Sequence, residues 1–541
     1  MKIKLSIFSV FLFALLGLFP TRGLALAPHE SLLLVNQNSS ASKQIANHYI
    51  ALRGIPEPNV VYLDIPTNAG IRISYNEYRS WIYEPTVAAV KERNLQNQIL
   101  AWILSDGIPH SVSTSPVTSL QGMNFVRLQV PDQSLTHKGT YQSVYFAGPK
   151  GPDTAQGETL SLPVLAQKII RNNMNPPIAG MSLAYTGPGG TSVPEAINCL
   201  KRGVESDFTQ PNFASVYITT NKDIRTACRI WQFESVMQDF VDRKRPIGMT
   251  PGRPPDVPLV GWLNGTANFK PQGVNFVKGA IGDHLTSFGC AFHIPLQTKA
   301  TDLIKAGAVA AGGAIDEPMS IWTKFPHARI FSHYQRGVTV LEAYQLSLSC
   351  PMQYMVIGEP FARPFAPKLE LDVDLETEDE LLHLNFNLKG SKPGDAFLYM
   401  VFLDGSPVTT FMKIPKVSVP LNRVPFGSHE LRVLAFQNGN VIHWARWMTE
   451  WTHPGTKMAP KITTFASQAE VDYHQKHSVS FTPIPGIKTY RLMQGRRELD
   501  AGETLTFDPK QAGKGPVTLR VDAVHKGTSP LRGPSVQIKV Q

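Results

Sequence analysis

Leu32-Leu33-Leu34-Val35, the stretch Ala41 to Arg53, and Val60-Val61-Tyr62-Leu63 together decide how this chain is read. The two short runs are continuously apolar, the pattern of strands buried on both faces. Between them Ile45, Tyr49 and Leu52 recur at helical spacing, and Gly54 with Pro56 supplies a stop signal. Strand, helix, strand in that order implies parallel strands with a helix packed on their face.

Working outward, the same texture recurs. Further apolar runs span Ile99 to Leu104, Met181 to Tyr185, Leu259 to Leu263, Val277 to Gly282 and Ala306 to Ala311. The fold class expected for residues 28–366 is therefore α/β, a mostly parallel sheet flanked by helices. Beyond about Pro367 the chain changes to alternating strands such as Leu382 to Leu388, Phe397 to Leu403 and Leu431 to Phe436. Asp404-Gly405 and Asn438-Gly439 are turn signals between them. A Pro/Gly linker near His453 to Pro460 precedes a second set, Val479 to Phe481, Thr489 to Met493, Val517 to Ala523 and Val536 to Val540. Residues 367–454 and 459–541 are thus expected to form two small β-sandwiches of the immunoglobulin or fibronectin kind.

At the other end, Met1-Lys2-Ile3-Lys4 and an apolar run from Leu5 to Phe19 form a signal-peptide pattern, with cleavage expected after Ala25. The run is shorter than the ~20 residues a spanning helix needs. No later segment is apolar for long enough, so no transmembrane span is expected after removal of residues 1–25. The expected location is periplasmic or extracellular.

Composition narrows the partners. The chain of 541 residues carries a net charge of +10, but its Lys and Arg residues are scattered, without the basic runs that mark nucleic-acid binding. An envelope protein, an anionic envelope surface or a polysaccharide is the expected partner class; a solvated basic surface with no partner is the plain alternative. Four cysteines, Cys199, Cys228, Cys290 and Cys350, would enter an oxidising compartment. Cys199 with Cys228 is the favoured disulfide, and four buried thiols the alternative. The oligomeric state is not encoded legibly.

Several motifs carry a resemblance. Leu33-Leu34-Val35-Asn36-Gln37-Asn38, Arg53-Gly54-Ile55-Pro56, Gly282-Asp283-His284-Leu285-Thr286-Ser287-Phe288-Gly289, Ala306-Gly307-Ala308 through Glu317-Pro318, and Ile357-Gly358-Glu359-Pro360-Phe361-Ala362 resemble an uncharacterised exported bacterial family that co-occurs with exosortase protein-sorting systems. The resemblance covers about residues 31–366 and implies export in a bacterium with a layered envelope, without an activity. A second, shorter one concerns Ile99 to Pro109, Leu183 to Glu205 and Gly358-Glu359-Pro360, which are similar to pieces of gingipain-like cysteine peptidases of the caspase fold. That resemblance implies a histidine and a cysteine at the ends of neighbouring strands, where imidazole lowers the thiol's pKa. Here the first position holds Asn264-Gly265 and the second Asp283-His284. Both expected groups are missing.

Other chemistry remains open. Asp283, His284 and Cys290 are the catalytic candidates, the last two as a dyad of a different geometry. Asp106, Asp283, His284 and Glu317, with Asp316 beside them, all follow expected strands, and ligands of open α/β sheets bind outside the strands' carboxyl ends. They could gather into a divalent-metal site or an acid/base pair. Against this, Asp283 could cap a helix, Glu317-Pro318 could be a turn, and His284 could be a satisfied buried histidine. Gly187-Pro188-Gly189-Gly190 lacks the Lys-Ser/Thr of a phosphate-binding loop, no serine has a Gly-x-Ser-x-Gly context, and His327 and His333 are six apart rather than four. The missing base and nucleophile favour a binding or scaffolding protein on a degenerate peptidase-like domain; the alternative is a hydrolase acting on envelope protein or glycan around Asp283 and His284.

Overall fold

The computed structural model describes residues 26–541 apart from 131, 153, 155–156, 392–394, 396, 410–412, 438 and 526–528. The leader, the junction after Ala25 and the Asn438 turn position lie outside the described residues. No helix among the described residues is long and apolar enough to cross a membrane.

The first unit does form as a strand, a helix and a strand. Strand β1 (Ser31–Asn36) leads into α1 (Ser40–Arg53), which Ser39 caps by accepting the Ser42 N–H and which Gly54 ends in the left-handed region at φ 56°. Strand β2 (Val60–Leu63) then lies parallel to β1, Leu33 opposite Val60. Eight more strands complete a ten-stranded sheet: β3 (Ala101–Leu104), β4 (Ala179–Ser182), β5 (Ser215–Thr219), β6 (Ile247–Thr250), β7 (Leu259–Asn264), β8 (Phe276–His284), β9 (Ala310–Ala314) and β10 (Tyr354–Gly358). Their order is β2-β1-β3-β4-β10-β9-β8-β7-β5-β6. Pairing is parallel on both sides of the centre, while β10 runs antiparallel to β9 and meets β4 at one bridge, Ile357 to Ser182.

The continuous apolar runs are explained by burial on both faces. In β1, Leu33 and Val35 enter one core while Leu32 and Leu34 enter another. In β3, Ala101 and Ile103 divide from Trp102 and Leu104 in the same way. With no wet face, neither strand needs a polar alternate residue.

Three expectations shift. The run Ala306 to Ala311 is the end of a helix and its exit, and the strand begins at Ala310; Met181 to Tyr185 overruns a strand that ends at Ser182. The segment between Cys199 and Cys228 holds β5, a strand of the central sheet. The favoured disulfide is overturned as well: all four cysteines are free thiols. Cys199, in helix α2 (Val193–Ser206), packs with Trp262, Cys290 and Leu303, whereas Cys228 packs against the cluster on the other face of the sheet.

Residues 370–452 form two facing antiparallel sheets. One contains Glu370–Glu378, Leu381–Lys389 and Lys416–Pro420, the other Phe397–Leu403, Ser428–Gln437 and Trp444–Thr452. Their inner faces share a core with Leu384, Val401, Val417 and Val433. A second β module follows, built on Thr489–Gln494, Gly515–Val524 and Val536–Val540 around its own core. The chain is thus an α/β domain followed by β-sandwich modules.

The modules are docked on the α/β domain. Asp404-Gly405 turns with both φ values positive, 50° and 79°, and a Cβ on Gly405 would come within 2.4 Å of Pro58. Arg446 donates to the Arg53 carbonyl over Gly54, where a side chain would collide with its guanidinium. Arg363, buried, lies with its guanidinium carbon 3.7 Å from the Trp444 ring centroid and donates to the Trp444 carbonyl. From α1, Asn47 donates to the carbonyls of Ala512 (3.1 Å) and Lys514 (2.9 Å) in the last module.

Candidate functional site

Asp283 and His284 are the last two residues of β8, and register places Asn264 of β7 opposite His284. The strand-end geometry anticipated from the sequence is therefore present. Its surroundings are closed. Asp283 and His284 are both 0% exposed. Asp283 accepts from the Arg229 guanidinium and from the Tyr354 hydroxyl, one on each carboxylate oxygen. Burial pushes the Asp283 carboxyl's pKa up, and Arg229 and Tyr354 oppose that rise. Arg229 also donates to the Asn264 carbonyl at 2.9 Å, so one guanidinium ties β7 to β8. Asp283 is thus not the helix cap that its sequence position allowed: its partners are side chains.

His284 packs against Phe269 with ring centroids 4.5 Å apart. Burial, together with the nearby Arg229, Arg225 and Lys299 charges, lowers its pKa to about 3, while the Thr298 backbone acts the other way. It is a neutral imidazole at any ordinary pH. Cys290 is equally enclosed, with its sulfur 3.7 Å from the Met355 carbonyl and its own N–H bonded to Ala314. Burial pushes the thiol up to about 12, which removes the thiolate a nucleophile needs.

The carboxylates expected to join them are engaged elsewhere. Asp106, following β3, accepts from the Thr186 N–H at 2.8 Å and its hydroxyl at 2.7 Å, pinning the loop after β4. Its pKa is raised by burial against those hydrogen bonds. Glu317 is exposed and accepts from the Met319 N–H in a turn, and Asp316 reaches Arg72 at 3.8 Å. Among the described residues no group of three or more His, Cys, Asp or Glu is placed to hold a metal ion. The four metal candidates Asp106, Asp283, His284 and Glu317 are not gathered into one such group.

The residues that organise this region were not singled out from the sequence. Lys299 donates its ammonium protons to the carbonyls of Phe288 (2.7 Å), Ala291 (3.1 Å), Ile294 (2.6 Å) and Leu296 (3.0 Å), winding the loop after β8 around one buried cation. Gln297 accepts from the Thr286 hydroxyl and the Phe288 N–H. The Asp-His-Leu-Thr-Ser-Phe-Gly block therefore reads as a folding device. The only sequence signal for Arg229 was that a carboxylate inside a buried strand requires a cation.

The open space lies elsewhere. A cleft of about 330 Å³ is lined by all three parts of the chain, with Ile50, Ile55 and Tyr62 from the α/β domain, Met448 and Glu450 from the first sandwich, and Thr518 and Arg532 from the last module. Glu57 is its electrostatic centre: it accepts from Arg520 at 2.7 Å and Arg532 at 3.2 Å, and Arg532 reaches Asp404 at 3.1 Å. Glu450 accepts the Ser535 N–H at 2.7 Å across the rim.

Fold and site together define an α/β protein whose sheet-end chemistry is internal and whose accessible cleft is a junction between modules. No family model matches the chain, and no curated protein matches it. Solved structures with partial likeness include the Bacteroides ovatus mixed-linkage glucan utilization locus SGBP-B in complex with a mixed-linkage heptasaccharide. It is 11% identical, with 30% of this chain and 41% of that chain covered, at a TM-score of 0.20. The fibronectin(III)-like modules of Clostridium thermocellum CbhA are 9% identical, with 32% of this chain and 93% of those modules covered, at a TM-score of 0.13. The chain thus spans less than half of the first of these proteins.

Proposed function

We propose that this is an exported envelope protein that binds or scaffolds an envelope component, built on a degenerate peptidase-like α/β domain. The observation that carries the reading is the sealing of Asp283 and His284. A general base must reach a substrate proton within hydrogen-bond distance, and both side chains are enclosed, one saturated by Arg229 and Tyr354 and the other held neutral against Phe269. Support for the peptidase-like ancestry is positional: Asn264 and His284 stand side by side at the ends of neighbouring strands, where such an enzyme would hold its base and nucleophile. The two sandwich modules are of the immunoglobulin or fibronectin kind in this reading, and they provide partner surface. The export signal and the exosortase-associated resemblance place the partner outside the cytoplasm.

The test is a comparison of the mature chain with its His284→Gln and Cys290→Ser variants. Each is incubated with denatured envelope protein and with isolated envelope glycan, and assayed for new amino termini and new reducing ends. No turnover by the parent, with retention of envelope material on the immobilised protein, is the expected result. Turnover by the parent that a folded variant loses would overturn the proposal in favour of a hydrolase.

A further inference from the structure

We infer that the cleft between the three modules is the ligand site, and that it takes a neutral polyhydroxylated ligand, the end of a glycan chain. The inference rests on the binding reading above and gives that binding a place and a chemistry. Pockets for small ligands combine apolar walls with a few directed polar groups, in volumes upward of about 300 Å³, and this one encloses about 330 Å³.

Its charges decide what it excludes. Glu57 is neutralised by Arg520 and Arg532, Arg532 is shared with Asp404, and Glu430 is paired with Arg432 at 2.9 Å. These pairs satisfy one another, and the two further charged lining residues, Glu450 and Arg496, are of opposite sign, so the lining carries no excess of either charge. Beside them stand neutral polar side chains that both donate and accept: Thr449, Thr518, Ser535 and Gln537. Hydroxyl groups are matched to such a lining because each is also both donor and acceptor. Ile50, Ile55 and Met448 add apolar lining with Tyr62, and the Arg497 guanidinium carbon lies 4.7 Å from the Tyr62 ring centroid, over one of its faces. Apolar side chains together with hydroxyl-matched groups in one lining suit the amphipathic pattern of a sugar ring.

Position adds a consequence. Because α1, the first sandwich and the last module each contribute wall, a ligand in the cleft contacts all three and favours their docked arrangement, so binding stabilises the chain as a whole.

Isothermal titration of the mature chain with cellohexaose, maltohexaose and chitohexaose, with polygalacturonate and a neutral hexapeptide as contrasts, tests the inference. Met448→Trp and Thr518→Trp fill the cleft from exposed positions outside the cores, and Glu317→Gln, in the turn after β9, is the control. The expected result is binding of at least one neutral hexasaccharide, weakened about tenfold or more, the equivalent of roughly 1.4 kcal/mol, by either tryptophan and unchanged in the control. Binding of none of the three overturns the ligand class, as does preference for polygalacturonate or the peptide. Saccharide binding that both folded tryptophan variants retain overturns the site. Retention of whole envelope material by those variants would leave the binding function standing while the cleft is abandoned.

Discussion

Around Asp283 the α/β domain buries a carboxylate, a guanidinium and a phenol so that they answer one another, whereas around Glu57 the same residue types span three modules and border open space. The first group is drawn from β8, β10 and the segment before the helix Phe233–Asp242, all within one core, and its surroundings close over it. The second is drawn from the surfaces of three modules, and a cleft remains between them. A carboxylate at a strand's carboxyl end is thus no sign of a site unless solvent reaches it.

The contrast can be broken most forcefully at Asp283. Asp283→Ala leaves Arg229 buried with hydrogen bonds to the Asn264 and Pro326 carbonyls but no counter-charge, and the expected loss is about 3–5 kcal/mol, read from denaturant unfolding. A loss near that of a surface change would mean the region is open after all.

His284 sharpens the contrast through pH. Its folded pKa of about 3 lies below the unfolded value of about 6.5, so the unfolded chain binds the proton first. Stability from this group is complete above about pH 6.5 and is lost as pH falls toward 3. The slope is about 1.4 kcal/mol per pH unit for each such imidazole, and His29 and His333 add to it in the same direction. Folded His284→Gln should flatten the stability profile by one proton between pH 6 and 4, about 2–3 kcal/mol over that span; an unchanged slope would show that the histidine is not buried neutral.

At the junction Glu57→Ala should cost less, about 1–2 kcal/mol, because Arg520 keeps Asp522 at 2.9 Å and Arg532 keeps Asp404. Its signature is loss of coupling: the last module should melt separately in calorimetry, with faster tryptic cleavage at the exposed Lys457. A single unchanged transition would show that Glu57 does not join the modules. Smallest of all, Glu317→Gln should shift stability by less than about 0.5 kcal/mol; a larger change would place that carboxylate in a site.

Much of the architecture was legible. The strand, helix and stop at Leu32 to Pro56, the texture change after Pro367 and the Asp404-Gly405 turn are all local statements, written in periodicity and in residues that tolerate positive φ, and the fold keeps each of them. Strand β10 was not read, because Tyr354-Met355-Val356 is a short run whose antiparallel place at the centre of the sheet depends on neighbours 40 or more residues away in sequence. Strand β5 was missed for the same reason, and with it the placing of Cys199 and Cys228 against different cores.

By itself the sequence determined the layering of the protein, an α/β domain with β modules behind it, since apolar period and turn chemistry act over a few residues. It also marked Asp106, Asp283, His284, Asp316 and Glu317 as strand-end groups. Only the tertiary structure decided their roles, because burial, counter-charge and solvent access are set by what distant segments bring. Arg229 and Tyr354 closed one region, Lys299 wound its loop shut, and the meeting of α1 with the two modules left the cleft open.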